Sequence, residues 1–309
     1  MTTPVKPNDR SAPRGIGALS LVTTHGFTDY TLIDSGRGRK LERFGQIVVD
    51  RPEPQALWQR RQADAWASAH AVFSASGEDE EKGRWRADKP VPESWPVRVE
   101  GITVHCRLSA MWHLGLFPEQ LPHWQWMQDG LRVIAGERPR VLNLFAYTGA
   151  ASLIAARAGA EVTHVDASKK AIAWAKENQA ASDLANAPIR WIVDDARKFV
   201  AREVRRGRTY HVILIDPPKF GRGPNNEVWE LFEHLPDLMG QCATLLAPAS
   251  SRLCLTAYAI RASALAIDGL LREVMAARPG SVESGELAIV EQSGGRAIGT
   301  SLFSRWCSQ

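Results

Sequence analysis

Hydrophobic positions in the C-terminal two thirds of the chain form short apolar runs that alternate with segments of helical character. The runs predict five strands, at residues 141–145, 162–166, 189–193, 212–216 and 252–256. Helices are predicted between and after them, at residues 150–158, 169–179, 196–205, 227–246 and from the fifth strand to residue 275. Since parallel strands need helical crossovers, this alternation predicts an α/β domain on a mostly parallel sheet.

The end of the chain departs from this alternation. Residues 286–290 and 300–303 predict two strands, and the glycine-rich connection between them leaves no room for a helix. A link this short permits an antiparallel pair. The predicted fold is therefore a Rossmann-like α/β domain with a mostly parallel seven-stranded sheet and an antiparallel terminal hairpin.

The N-terminal third lacks the regular alternation of strands and helices. Residues 1–24 carry Pro, Gly, Ser and charge without periodicity, which predicts a flexible tail. The elements predicted after it are strands at 30–34 and 46–49 around a basic turn at 35–40, a helix at 56–72, an exposed acidic loop at 77–83 and a strand or hairpin at 97–108. This order predicts a small α+β domain over residues 25–111, followed by a larger domain over residues 112–309.

Composition narrows the class of protein. The chain has 309 residues, of which 44% are hydrophobic and 23% charged, and no window approaches the ~20 uninterrupted apolar residues of a membrane span. We expect a cytoplasmic protein without a membrane partner. Four scattered cysteines without a CxxC pair argue against a disulfide framework or a metal site. The net charge of +4 suits contact with phosphates and equally with anionic small substrates.

Small residues and carboxylates follow four of the predicted strands, at the ends where open α/β sheets bind ligands. Residues 145–150 would let a ligand approach the backbone, although no G-x-G-x-x-G for a pyrophosphate is present. Asp166 could accept hydrogen bonds from both hydroxyls of a ribose, and a carboxylate of Asp194-Asp195-Ala196 could accept one from an adenine amino group. Helix capping is the alternative role for these carboxylates.

The fourth strand ends in Asp216-Pro217-Pro218-Lys219. Two consecutive prolines fix an extended backbone, so the Asp216 side chain and the Pro217 carbonyl are held in place. Four strand ends with suitable chemistry, in order along the chain, indicate a shared ligand site.

Together, residues 141–149, 165–168, 194–196 and 216–220 resemble the ribosomal RNA cytosine-C5 methyltransferases of the large-subunit type, which use S-adenosyl-L-methionine. Residues 114–120 are similar to the Gly-x-Phe-x-x-x-Gln segment of that family. The resemblance implies a class I methyltransferase domain, an RNA partner and a set of cofactor-binding residues: Phe117, Gln120, Asn143, Phe145, Ala146, Tyr147, Thr148, Gly149, Asp166, Ala167, Ser168, Asn178, Asp194, Asp195, Ala196 and Asp216. It implies a catalytic role for Asp216, Pro217, Pro218 and Lys219.

The chain departs from that family in two respects. Members usually begin with an RNA-binding PUA domain, for which residues 1–24 are too short. RNA would then bind elsewhere, for example at Arg37, Arg39, Lys40 and Arg43 or at residues 219–222, unless these side chains are simply solvated. The family also adds a cysteine thiolate to cytosine C6, but Ala257 stands where it has that cysteine. Cys254, two residues before Thr256, is predicted to be a buried and inert thiol.

The missing thiol favours direct in-line methyl transfer to a nitrogen or oxygen atom, a reaction that depends mainly on positioning. We therefore predict an S-adenosylmethionine-dependent methyltransferase that acts on RNA, ribosomal RNA first. Three alternatives remain open: methylation of a protein side chain or small molecule, a non-catalytic module that binds cofactor or RNA, and a nicotinamide-dependent oxidoreductase. The oligomeric state is also open, a dimer being one alternative.

Overall fold

The computed structural model describes residues 18–76, 79–258 and 260–309. Its strands are, in chain order, β1 (Ser20–Thr23), β2 (Tyr30–Gly36), β3 (Arg39–Phe44), β4 (Ile47–Pro52), β5 (Ala71–Ser76), β6 (Asp79–Ala87), β7 (Trp95–Val99), β8 (Ile102–Cys106), β9 (Arg140–Leu144), β10 (Glu161–Asp166), β11 (Ile189–Val193), β12 (Val212–Ile215), β13 (Phe220–Arg222), β14 (Val228–Glu230), β15 (Arg252–Tyr258), β16 (Gly280–Val290) and β17 (Ala297–Ser308). Its α-helices are α1 (Leu121–Arg132), α2 (Ala150–Arg157), α3 (Lys169–Ala181), α4 (Ala196–Arg205), α5 (Leu231–Thr244) and α6 (Ala264–Val274), and 3-10 turns cover Ala63–Ser68 and Pro118–Gln120.

The central sheet has the order β1-β16-β17-β15-β12-β9-β10-β11. Strands β9, β10, β11, β12 and β15 run parallel, and β17 is antiparallel to both β15 and β16. This confirms the predicted Rossmann-like sheet with its antiparallel terminal hairpin. An eighth strand joins it, because β1 pairs in parallel with β16 at the edge.

The prediction of a flexible tail up to residue 24 is therefore wrong for Ser20–Thr23; residues 1–17 lie outside the described residues. Four residues are too few to show a periodicity, and Leu21 is 64% exposed, so no apolar pattern marks the strand. The segment is a strand because the free edge of β16 offers backbone hydrogen-bond partners.

The N-terminal region is β-rich, and not α+β as predicted. Strands β2 to β6 form a five-stranded sheet, and β7 and β8 form the expected hairpin around Gly101. The predicted helix at residues 56–72 is absent: a loop and the turn Ala63–Ser68 lead into β5. The Asp34 carboxylate accepts hydrogen bonds from the N–H groups of Arg61 and Gln62, at 3.2 and 3.0 Å, and these bonds replace a helical ladder.

The structure corrects two further local predictions for this region. The basic turn at residues 35–40 is shorter than predicted, because β3 begins at Arg39. The acidic loop at residues 77–83 corresponds to the start of β6 from Asp79 onwards, while residues 77–78 lie outside the described residues.

Apolar side chains fill both faces of the central sheet. Helices α4, α5 and α6 cover one face, and α1 and α2 cover the other, where the core continues into the hairpin β7–β8 and the N-terminal sheet. The carboxyl ends of the parallel strands are left uncovered by these helices. Within the described ranges, no helix is long and apolar enough to cross a bilayer.

Candidate functional site

A cavity of about 1210 Å³ lies at the carboxyl ends of the parallel strands. All sequence-predicted site residues except Asn178 line it. Its volume exceeds the roughly 300 to 1,000 Å³ that is usual for a site holding one small molecule. The cavity therefore has room for a cofactor and for part of a second molecule.

The loop between β9 and α2 forms one wall of the cavity. Phe145 and Tyr147 have left-handed backbone angles, with φ of 55° and 49°, and Gly149 caps α2 at φ 86°. Left-handed backbone in bulky residues is strained and concentrates at ligand-binding loops. The N–H groups at the start of α2 remain available to an anionic group of a ligand.

Asp166, at the end of β10, holds this loop in place. Its Oδ2 accepts a hydrogen bond from the Tyr147 N–H at 2.8 Å, and its Oδ1 accepts one from the Ser168 N–H at 2.7 Å. Burial raises the pKa of the Asp166 carboxyl above its ordinary value. A carboxylate has about four lone-pair sites, so Asp166 can still accept two hydroxyl hydrogens from a ligand.

The carboxylates after β11 also have partners within the chain. Asp195 Oδ1 accepts from the Lys198 N–H at 3.0 Å and so caps α4, which is the alternative role considered for this residue. Asp194 forms an ion pair with Arg202. Both carboxylates and Ala196 nevertheless line the cavity, where Asp195 is 5% exposed.

Asp216 lies at the end of β12, opposite the segment that precedes α1. The side-chain amide of Gln120 donates to Asp216 Oδ2 at 3.0 Å, and the Thr256 hydroxyl makes a long contact of 3.4 Å with Gln120 Oε1. Burial raises the pKa of the Asp216 carboxyl to about 7, and the nearby Glu119 carboxylate adds to this effect. At neutral pH the group can therefore exist in both protonation states.

The prolines after Asp216 are fixed by a residue that the sequence did not reveal. The Trp229 indole N–H donates to the Pro218 carbonyl at 2.6 Å, and the Trp229 ring centroid lies 4.9 Å from that of Phe145. Trp229 is 3% exposed. Its position in β14, eleven residues after Pro218, carries no local signal for this contact.

The segment at residues 114–120 contacts the opposite side of the same loop. The Thr148 hydroxyl donates to the Gly115 carbonyl at 2.5 Å, and the Phe117 ring lies 5.5 Å from the Tyr147 ring. A Cβ at Gly115 would lie 2.3 Å from the Trp174 ring, so only glycine permits this approach.

Asn178 does not belong to the cavity lining, contrary to its predicted contact with the cofactor. It is fully buried in α3, where its Nδ2 donates to the Thr148 carbonyl at 3.0 Å. Its Oδ1 accepts from the His105 N–H at 2.9 Å. Asn178 therefore supports the loop between β9 and α2 from behind.

A reactive thiol is not supported at this site. Cys254 lines the cavity from within β15, but it is 2% exposed and burial raises its pKa to about 12. The thiol is therefore protonated at neutral pH, and the thiolate is the nucleophilic form. Ala257 is buried in the same strand. Across the part of the chain that the structure describes, no group of three or more His, Cys, Asp or Glu side chains could hold a metal ion.

Known proteins are similar to this chain in sequence and in fold. Residues 46–279 match the sequence model of the S-adenosylmethionine-dependent methyltransferases. A crystal structure of a SAM-dependent methyltransferase from Agrobacterium tumefaciens is 49% identical, covers 95% of both chains and superimposes with a TM-score of 0.91. A structure described as a SAM-dependent methyltransferase from Streptococcus mutans shares the fold, with 17% identity, coverage of 91% of this chain and 75% of that chain, and a TM-score of 0.71.

Curated relatives match a smaller part of the chain. The ribosomal RNA large subunit methyltransferase K/L of Shewanella sp. (strain ANA-3) is 38% identical over 112 residues, which are 35% of this chain and 16% of that protein. The protein of the same name from Shewanella frigidimarina (strain NCIMB 400) is 37% identical over 122 residues, or 38% of this chain and 17% of that protein. The matched part is thus about a sixth of the length of these relatives.

Proposed function

Since the chain belongs to the S-adenosylmethionine-dependent methyltransferase family, we propose that it transfers a methyl group to a nitrogen or oxygen atom of RNA, with ribosomal RNA as the first substrate to test. The enzyme class and the cofactor are properties of the family. The RNA substrate is motivated by the curated relatives, whose names specify ribosomal RNA. The net charge of +4 is compatible with a phosphate-rich partner.

The convergence of four strand ends on one cavity is the observation that carries this proposal. The donor set around that cavity fits the cofactor. Asp166 has lone pairs left for two ribose hydroxyls, and the start of α2 offers N–H groups to the methionine carboxylate. Asp195 and Ala196 line the cavity and would bind the adenine ring. Residues 145–149 would border the methionine chain.

Gln120, Asp216 and Pro217 would define the point of methyl transfer. When bound, S-adenosylmethionine supplies a methyl group that its sulfonium already activates. Gln120 orients the Asp216 carboxylate by its 3.0 Å hydrogen bond. That carboxylate and the Pro217 carbonyl can accept hydrogen bonds from an amino group and so direct its lone pair towards the methyl carbon. Asp216 then takes the proton that the nitrogen releases, since its pKa near 7 suits a general base at neutral pH.

The state of the thiol separates this chemistry from cytosine C5 methylation. Methylation at C5 needs a thiolate that first adds to C6 of the ring. Cys254 is buried with a pKa raised to about 12, and Ala257 has no side chain that could replace it. Attack by a nitrogen or oxygen lone pair requires no such covalent step.

A tritiated-methyl transfer assay tests the proposed substrate. The purified protein is incubated with labelled cofactor and with total RNA, ribosomal subunits, protein extract or metabolites in separate reactions. We expect label in RNA, and nuclease digestion with mass spectrometry then identifies the modified atom. Label only in protein or in metabolites would contradict the RNA substrate. Tight binding of S-adenosylhomocysteine without transfer to any extract would indicate a non-catalytic module.

A further inference from the structure

The hairpin of β13 and β14 follows Pro217 and Pro218 in the chain, and its first strand lines the cavity. Its register pairs Gly221 with Trp229, and the Trp229 side chain is buried against the protein. Because side chains alternate along a strand, the neighbouring positions face the other way. Phe220 is accordingly 62% exposed, and Arg222 is exposed as well. Both residues line the cavity.

A second arginine approaches the cavity from another element. Arg261 follows β15, is exposed and also lines the cavity. Among the described residues, neither Arg222 nor Arg261 has a carboxylate within ion-pair distance. Of the nearby acidic groups, Glu227 is already paired with Lys198 at 2.6 Å, and Glu230 lies across the hairpin from Phe220. Two arginines without a carboxylate partner and an exposed aromatic ring thus line the same cavity.

The four basic residues at the start of the N-terminal region that the sequence offered for RNA, Arg37, Arg39, Lys40 and Arg43, are less available. Each of the four has a partner within the chain: Arg39 pairs with Asp50 at 2.5 Å, Lys40 pairs with Glu53 at 3.1 Å, Arg43 donates to the Gly45 carbonyl at 2.9 Å, and Arg37 donates to Gln59 Oε1 at 2.6 Å. Cations held in this way must give up existing contacts before they can bind phosphate. The charge distribution therefore favours the hairpin side of the cavity.

We propose that Phe220, Arg222 and Arg261 form a docking site for single-stranded RNA, which we call the strand clamp. The two arginines would bind phosphates on either side of the nucleotide that enters the cavity, and the Phe220 ring would stack on a neighbouring base. An aromatic ring next to unpaired cations is the general arrangement for binding single strands without sequence preference. A single strand is favoured over a duplex, because a base must leave the stack to reach a recessed atom. The strand clamp rests on the proposed RNA substrate.

Binding measurements test the strand clamp without relying on methyl transfer. The protein, saturated with S-adenosylhomocysteine, is titrated into a fluorescein-labelled 12-nucleotide single-stranded RNA of mixed sequence, and anisotropy is followed at several salt concentrations. For the double variant Arg222→Ala/Arg261→Ala, we expect the slope of log affinity against log salt to become shallower by about 1.4, or 0.7 for each lost phosphate contact. For Phe220→Ala we expect affinity to fall on the order of ten-fold, and Phe220→Trp should retain it.

A matched control makes the same change of charge at the amino-terminal ends of the parallel strands, away from the cavity. Arg205 is the last residue of α4, Arg208 lies in the loop before β12, and both are exposed. The variant Arg205→Ala/Arg208→Ala should leave the salt slope unchanged. Equal losses in both double variants would reduce the effect to net charge and overturn the clamp.

Three other outcomes would also overturn it: absence of binding by the wild-type protein, equal binding by Phe220→Ala, or displacement of RNA by polyglutamate at equal charge concentration. The methyl-transfer assay decides the proposed function separately. Transfer to RNA that is unaffected in all clamp variants would leave the function standing and remove the clamp.

Discussion

Gln120 donates a 3.0 Å hydrogen bond to Asp216, although 96 positions separate the two residues along the chain. The bond joins the segment before α1 to the end of β12, which are the two sides of the proposed methyl-transfer point. Burial in the cavity wall raises the pKa of the Asp216 carboxyl to about 7. The hydrogen bond fixes the position of the Asp216 carboxylate, and its pKa sets the fraction that is ionised at neutral pH.

The pH dependence of turnover should follow the protonation of Asp216. Because only the ionised carboxylate can take a proton, the rate at saturating cofactor should rise with pH and level off above an apparent pKa near 7. The Glu119 charge helps to raise this pKa, so Glu119→Gln should move the profile to lower pH. Steady-state rates between pH 5.5 and 9 measure the shift. A profile that moves the other way, or no change in a folded variant, contradicts the assignment.

The substitution Asp216→Asn should lower activity and raise stability. The raised pKa means that the folded protein holds the Asp216 proton more tightly than the unfolded chain does. Protonation of Asp216 therefore stabilises the fold at low pH, and this stabilisation is lost as pH rises from about 4 to 7. An asparagine at position 216 stays uncharged at every pH, so the variant does not lose this stability as pH rises. We expect Asp216→Asn to be more stable in urea by on the order of 2 kcal/mol at pH 8, and little changed at pH 4.5. Turnover should fall by at least about ten-fold, with a smaller change in cofactor affinity.

The control for this stability effect is Asp237→Asn, an exposed position on α5. Equal stabilisation of both variants would show that the general loss of negative charge, and not the burial of Asp216, is responsible.

Asp166→Ala should weaken the binding of S-adenosylhomocysteine by about 1 to 3 kcal/mol, the cost of removing a charged hydrogen-bond partner. The variant also frees the N–H groups of Tyr147 and Ser168 that hold the loop. Isothermal titration calorimetry gives the dissociation constant, with Asp237→Ala as the exposed control. An unchanged constant would remove Asp166 from the site.

Trp229→Phe removes one hydrogen bond while it keeps an aromatic ring beside Phe145. The lost donor leaves the Pro218 carbonyl without its 2.6 Å partner. We expect a stability loss of about 1 kcal/mol and a lower kcat, because the Asp-Pro-Pro segment is less firmly held. Cofactor affinity should change less than kcat. A loss confined to stability, with normal kcat, would make Trp229 a packing residue only.

Cys254→Ala should keep methyl-transfer activity within about two-fold, since a buried thiol with a pKa near 12 is protonated at neutral pH. Circular dichroism and the same transfer assay test folding and activity together. A folded but inactive variant would restore the thiolate mechanism and with it cytosine C5 as the acceptor.

Much of the site could be predicted from the chain because strand ends are local features. Asp166 and Asp216 each follow an apolar run, and the ends of parallel strands meet at one edge of a sheet. Sequence reasoning assigned Asn178 to the cofactor only through the family resemblance, and the structure places its side chain behind the loop. Sequence reasoning also missed Trp229 and Arg261, since nothing near them in the chain indicates a cavity. The predicted helix at residues 56–72 failed because a distant carboxylate, Asp34, binds its backbone.

The sequence by itself determined the alternation of strands and helices, the antiparallel ending and the rigid Asp-Pro-Pro segment, because hydrophobic period and proline geometry act over a few residues. Only the tertiary structure decided that Gln120 contacts Asp216, that Trp229 contacts Pro218 and that Arg222 and Arg261 lack carboxylate partners. Those properties depend on burial and on contacts between segments far apart in the chain, and neither is encoded in any short stretch of residues.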